Sequence, residues 1–137
     1  MSIEVKDELL KTVSAHGVQL NADVYQIGLY TNELVPDSDT TIEDVTPANF
    51  GGYDGLRDLD SWETAATWDP PRAVITHPVI TWTADGTSPS NVIRGFYVVD
   101  QSGNLAWVVP NPEGGSTIGL TGQTYTVDPF FARKSEE

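Results

Sequence analysis

Apolar residues follow two rhythms along this chain. Over the first twenty residues, Val5, Leu9, Leu10 and Val13 recur at spacings of four, one and three, which sets them on one stripe of a helix. Ser2 is placed to cap its N-terminus, and Glu4, Asp7 and Glu8 suit the positive end of its dipole. Gly17 follows the last periodic residue as the expected stop, with His16 in the final turn. Beyond residue 20 the period changes to two. Tyr25, Ile27 and Leu29 alternate within Val24–Thr31 and share one strand face.

Turn residues divide the rest of the chain. Asn32–Thr41 is polar, with Pro36, Asp37, Ser38 and Asp39 as turn chemistry. Thr46 and Pro47 are placed to open one helical turn through Phe50, which Gly51-Gly52 ends. Leu56–Trp68 reads as a strand pair or an irregular loop. Arg72–Ala84 is rich in β-branched residues and reads as strand. Pro78 lacks an N–H in the middle of it, so the segment is an edge strand, carries a bulge, or is two strands. Asn91–Val99 and Asn104–Val109 flank Asp100-Gln101-Ser102-Gly103 as a β-hairpin. Thr117–Leu120 and Gln123–Val127 are further short strands. The expected fold is all-β: an antiparallel sandwich, jelly-roll-like, or a barrel of about seven or eight short strands after a short N-terminal helix. The expected organisation is a helix or arm over 1–20, a β-sandwich domain over 21–132, and a charged tail over 133–137.

Composition narrows the function. The 137 residues carry 20 Asp+Glu against 7 Lys+Arg, a net charge of −13, and no cysteine. Thiolate metal sites and cysteine nucleophiles are therefore excluded. Seven cations over the whole chain make no phosphate-binding patch, so neither nucleic acid nor an anionic membrane is an expected partner. With 39% apolar residues the chain has material for a core despite its charge. Its N-terminus lacks a signal-peptide pattern, so synthesis in a cytoplasm is expected.

Candidate chemistry is sparse. The only imidazoles are His16 and His77, the latter expected as a partly exposed strand residue, and no nucleophile elbow is present. Carboxylates are too numerous for any pair among Asp54, Asp58, Asp60, Glu63 and Asp69 to stand out as glycosidase-like. Asp37-Ser38-Asp39 and Asp54–Asp60 are loop acid clusters that do not match the twelve-residue calcium loop. No P-loop or dinucleotide fingerprint occurs. No cofactor, metal or catalytic residue is expected, and the chain is read as a non-enzyme. Trp82 and Trp107 lie within strand patterns and are expected in the core. Trp62 and Trp68 lie in the irregular segment and are candidates for an exposed glycan platform.

Two stretches occur together in a familiar order. Ile27–Tyr53 (IGLYTNELVPDSDTTIEDVTPANFGGY) runs from a strand ending L-Y-T-N into a T-x-A-x-F-x-G-Y element. Ile93–Trp107 (IRGFYVVDQSGNLAW) resembles a G-Y-Y-V-T-D-x-x-G-x-L-x-W hairpin. After a short N-terminal helix, this pattern resembles a family of small structural proteins of tailed bacteriophages, over roughly residues 8–130. The resemblance implies a virion component, in the first place a capsid decoration (cement) protein on the outer shell. It would be a homo-oligomer, with a trimer as first expectation, bound to the major capsid protein or other virion proteins. A tail, neck or fibre-associated protein and a glycan-binding attachment module are the alternatives. No catalytic residue carries over. Leu9 and Leu10 in the N-terminal segment, Phe130 and Phe131 near the C-terminus, and Trp62 and Trp68 are the candidate interaction residues. For Phe130 and Phe131 the competing reading is that they fill the domain's own core. An acidic protein is repelled by packaged DNA, which favours the outer face.

Overall fold

The structure is a computed structural model describing residues 3–134, with side chains from residue 6 onward. The expected cap Ser2, the side chains of Glu4 and Val5, and residues 135–137 of the tail lie outside it. Among the described residues there is one α-helix, α1 (Ile3–Asp23), and one short 3-10 turn (Ile42–Asp44). Eleven strands follow α1: β1 (Tyr25–Tyr30), β2 (Arg57–Leu59), β3 (Thr67–Asp69), β4 (Arg72–Thr76), β5 (Ile80–Thr83), β6 (Asn91–Ile93), β7 (Gly95–Val99), β8 (Leu105–Pro110), β9 (Ser116–Ile118), β10 (Thr124–Val127) and β11 (Phe130–Lys134). The chain is thus mostly β, antiparallel and sandwich-like rather than a closed barrel, with more and shorter strands than the seven or eight expected.

Contacts gather these elements into two compact units. The first is Leu59–Val79 with the residues up to Val24 and from Asp128 on; the second is Tyr25–Asp58 with Ile80–Val127.

In the first unit, β4 is the centre of a three-stranded sheet, ordered β11-β4-β3. Ala73 and Ile75 alternate inward on β4 and are fully buried. α1 packs on β4, β11 and β3. Its buried positions are Val13, Gly17 and Leu20, spaced four and three, while Leu9 and Leu10 are half-buried. Gly17 therefore does not stop the helix, which runs on to Asp23, and His16 is not in its last turn. Gly17 is needed for closeness instead: a Cβ there would lie 2.0 Å from the Glu63 carbonyl oxygen. The helix ends at Val24, which takes the left-handed conformation (φ 48°) that glycine usually supplies. Val24→Gly is accordingly expected to raise stability by about 0.5–1 kcal/mol in chemical denaturation. A loss of stability there would contradict this helix end.

The segment between β2 and β3 is strapped to α1 by side chains. Asn21 clamps the Trp62 backbone, accepting from its N–H at 2.7 Å and donating to its carbonyl at 3.0 Å. The Ser14 hydroxyl accepts from the Ala66 N–H at 2.8 Å. The Glu63 carboxylate accepts from both the N–H and the hydroxyl of Thr76.

In the second unit the main sheet is ordered β2-β1-β7-β8. β1 pairs antiparallel with β7 from Gln26↔Val99 to Tyr30↔Gly95. β7 and β8 form the expected hairpin, whose turn is held by the Asp100 carboxylate accepting from the Ser102 and Asn104 N–H groups. Arg72–Ala84 resolves into the two-strand alternative: β4 pairs with β11, β5 pairs with β10, and Pro78 falls in the break. Asn91–Val99 also divides, at Arg94, into β6 on β9 and β7 on β1. The helical turn expected at Thr46–Phe50 is absent. That stretch is extended, with Pro47 bridged to Tyr30 and the Ala48 N–H donating to Leu29; the short helical turn lies earlier, at Ile42–Asp44.

Aromatic side chains bind the second unit together. The Tyr53 hydroxyl accepts from the Leu29 N–H on β1 at 3.2 Å, and its ring stacks on Trp82 of β5 at 6.2 Å and 12°. Phe50 meets the Tyr53 edge at 5.4 Å. Gly28 keeps β1 open to them, because a Cβ there would lie within 3.0 Å of Leu56, Tyr97 and Tyr53.

Candidate functional site

The six interaction candidates come from three distant parts of the sequence, and all belong to the first unit. Strand alternation separates the phenylalanines. Phe131 is half-buried with its ring 4.2 Å from that of His16, whereas Phe130, opposite Thr76 on β4, is 62% exposed. One of the two packs against α1 and the other is presented outward. Val79 and Val18 are further exposed apolar residues of this unit. The unit also holds Lys6, Lys11, Arg72, Arg133 and Lys134, five of the chain's seven cations.

The tryptophans distribute differently from expectation. Trp62 is 5% exposed, so no sugar ring can stack on it, and its expected exposure is corrected. The Asn21 clamp draws it inward, a long-range contact without local sequence signal. Trp68 is half-buried, with the Lys6 ammonium 5.6 Å over its ring. Trp82 is fully buried, as its strand pattern predicts. Trp107, expected in the core, is 38% exposed beside Tyr25, because β8 is the outer strand of its sheet.

His77 is also corrected: it is buried, not partly exposed. Its Nδ1 lies 2.8 Å from the Pro78 carbonyl. A carbonyl only accepts, so Nδ1 carries the proton. Trp62 meets the His77 ring edge-on at 5.5 Å.

The loop carboxylates are taken up by neighbouring backbone and side-chain donors. Asp37 accepts from the Asp39 N–H at 2.8 Å and Asp44 from the Thr41 N–H at 2.8 Å, closing the Asn32–Thr46 loop. Asp54 pairs with Arg57 at 2.9 Å and Asp58 accepts from Gln26. Among the described residues, no group of three or more His, Asp or Glu side chains is placed to hold a metal ion.

Tyrosine ionisation is the strongest electrostatic perturbation. Burial, and then the neighbouring Tyr53 hydroxyl, push the Tyr97 phenol up to about 12. Burial raises Tyr53, Tyr30 and Tyr125 in the same direction. Below pH 10 both folded and unfolded chains keep Tyr97 neutral. Between pH 10 and about 12 only the unfolded chain ionises it, so stability falls across that window. Tyr97→Phe is expected to flatten that alkaline decline in urea midpoints; an unchanged slope would contradict it.

Sequence reasoning missed one opening. In the second unit, a cleft of about 370 Å³ lies between the loop at 86–90 and the turn joining β9 to β10. Its residues read in sequence only as turn formers, because their convergence depends on β5–β10 and β6–β9 pairing.

Compared with protein-family models, with curated proteins and with solved structures, the chain matches none.

Proposed function

We propose that this protein is a non-enzymatic structural component of a tailed-phage virion, a decoration protein docked on the outer capsid face as a homo-oligomer. The observation that carries the reading concerns the residues behind the resemblance. Ile27–Tyr30 and Gly95–Val98, from its two separate stretches, are cross-strand partners in one sheet. Phe50 and Tyr53, from the first stretch, carry that sheet's contacts on to Trp82. What the resemblance shares is therefore a scaffold within the second unit, which suits a protein whose work is structural.

Docking is assigned to the first unit. An acidic chain approaching a shell needs apolar anchors and whatever cations it has, and Phe130, Val79 and five of seven cations belong to that unit. The test is add-back. Purified protein at micromolar concentration is mixed with particles lacking it, and the particles are sedimented. Wild type is expected to co-sediment. Phe130→Ser is expected to keep its stability within about 0.5 kcal/mol, since the side chain is exposed, and to bind about tenfold more weakly. Wild type left in the supernatant would refute the reading.

A further inference from the structure

The cleft beside Leu120 in the second unit has a chemistry of its own. Thr87, Ser88, Ser90 and Thr117 line it, together with Gln123 and Leu120, and no Asp, Glu, Lys or Arg does. The Thr87 hydroxyl donates to the Asp85 carboxylate at 2.6 Å, so its lone pairs are left to accept. Gln123 Oε1 accepts from the Gly119 and Leu120 N–H groups at 2.9 and 2.8 Å. That fixes the carboxamide and leaves its NH2 as a donor. Leu120 is 72% exposed, an apolar wall beside these polar groups.

The walls are held in place. The Thr121 hydroxyl donates to the Asp85 carbonyl at 3.2 Å, and Ala84 exchanges backbone hydrogen bonds with Gln123 and Gly122. Gly119 approaches Ser90 so closely that a Cβ would lie 2.4 Å from it. The cleft is therefore preorganised, and its volume lies within the roughly 300–1,000 Å³ range of small-molecule sites.

Each alternative ligand class meets an obstacle. An anion finds no cation in the lining, and the Thr87 hydrogen bonds hold the neighbouring Asp85 carboxyl below the usual carboxylate range. A wholly apolar ligand would strip water from the hydroxyls and the carboxamide without replacing it. A cation finds no carboxylate in the lining, and the one beside it, Asp85, is already engaged by the Thr87 N–H and hydroxyl. We infer that this cleft is a binding site for a neutral saccharide, whose hydroxyls pair with the Ser, Thr and Gln123 groups while its C–H face lies on Leu120.

The experiment is an NMR titration of the full chain with glucose, galactose, mannose, N-acetylglucosamine and maltotriose, each alone, with glucuronate as the charged comparison. At least one neutral sugar is expected to give saturable shifts, in the millimolar range, at the Thr87, Gly119 and Leu120 amides and the Gln123 side-chain NH2. Glucuronate is expected to bind more weakly than glucose. Maltotriose binding more tightly than glucose would identify a polymeric glycan as the source, and equal binding a free sugar. Thr117→Tyr, at an exposed position of β9, is expected to fill the cleft and abolish the shifts. Leu120→Ser, as an independent variant, is expected to weaken them. The inference is overturned if no neutral sugar gives saturable shifts, if they persist in both variants, or if glucuronate binds best.

Discussion

Gly17→Ala is expected to destabilise the protein by about 1–3 kcal/mol, although the same change in an open helix adds about 1 kcal/mol of stability. The sign reverses because of what the helix meets. The added methyl would lie 2.0 Å from the Glu63 carbonyl oxygen and 3.1 Å from the Ile75 side chain. The oxygen belongs to backbone, so it cannot swing aside. Either α1 lifts from β4, or the segment at 60–66 moves. The second course strains the Asn21 clamp on Trp62 and the Glu63 N–H bond to the Thr76 carbonyl. The expected result is a lower urea midpoint with the helical signal of the native state retained. A midpoint equal to or above wild type would contradict the close approach at Gly17.

The second large effect lies in the other unit. Trp82→Ala is expected to cost about 3–5 kcal/mol, because a fully buried indole leaves a cavity that a rigid sheet cannot close. The loss reaches beyond volume. Trp82 stacks on Tyr53, donates its indole N–H to the Gly55 carbonyl at 3.3 Å, and lies beneath the Arg57 guanidinium at 5.5 Å. Removing it frees Tyr53 from one side and so loosens the hydrogen bond to β1. Trp82→Phe keeps most of the ring contact and is expected to cost less than half as much as Trp82→Ala. Equal losses for the two would show that the ring packing contributes little.

These positions also show where sequence patterns carry structural information. Alternation and turn chemistry locate β1 and the β7–β8 hairpin, because each depends on neighbours close in sequence; at Pro78 they leave three alternatives, and the pairing of β4 with β11 and of β5 with β10 decides for two strands. Lying within a strand pattern places Trp82 correctly inside but misplaces Trp107, which is 38% exposed on the outer strand β8. Gly17 misleads because a helix interior and a helix end can both require glycine, and only the distant Glu63 carbonyl distinguishes them. Val24, the actual end, carries no local signal, since its left-handed conformation works against its own side chain. Trp62 misleads for a related reason: the Asn21 clamp joins residues 41 apart. At Thr46–Phe50, pairing to β1 overrides a plausible helix start. Among the candidate contact residues, the split between Phe130 and Phe131 follows from strand alternation, but their company with Trp68 and the helix follows from the fold. The cleft is not legible at all, since serines, threonines and glycines in turns have a sufficient local explanation.

The role proposed for this chain is as part of a virion's outer shell. Quantitative mass spectrometry of gradient-purified virions tests it most directly. A decoration protein repeats with the shell's symmetry, so the expected result is on the order of hundreds of copies per particle. Absence of the chain from the particles, or its presence in only a few copies, would contradict it.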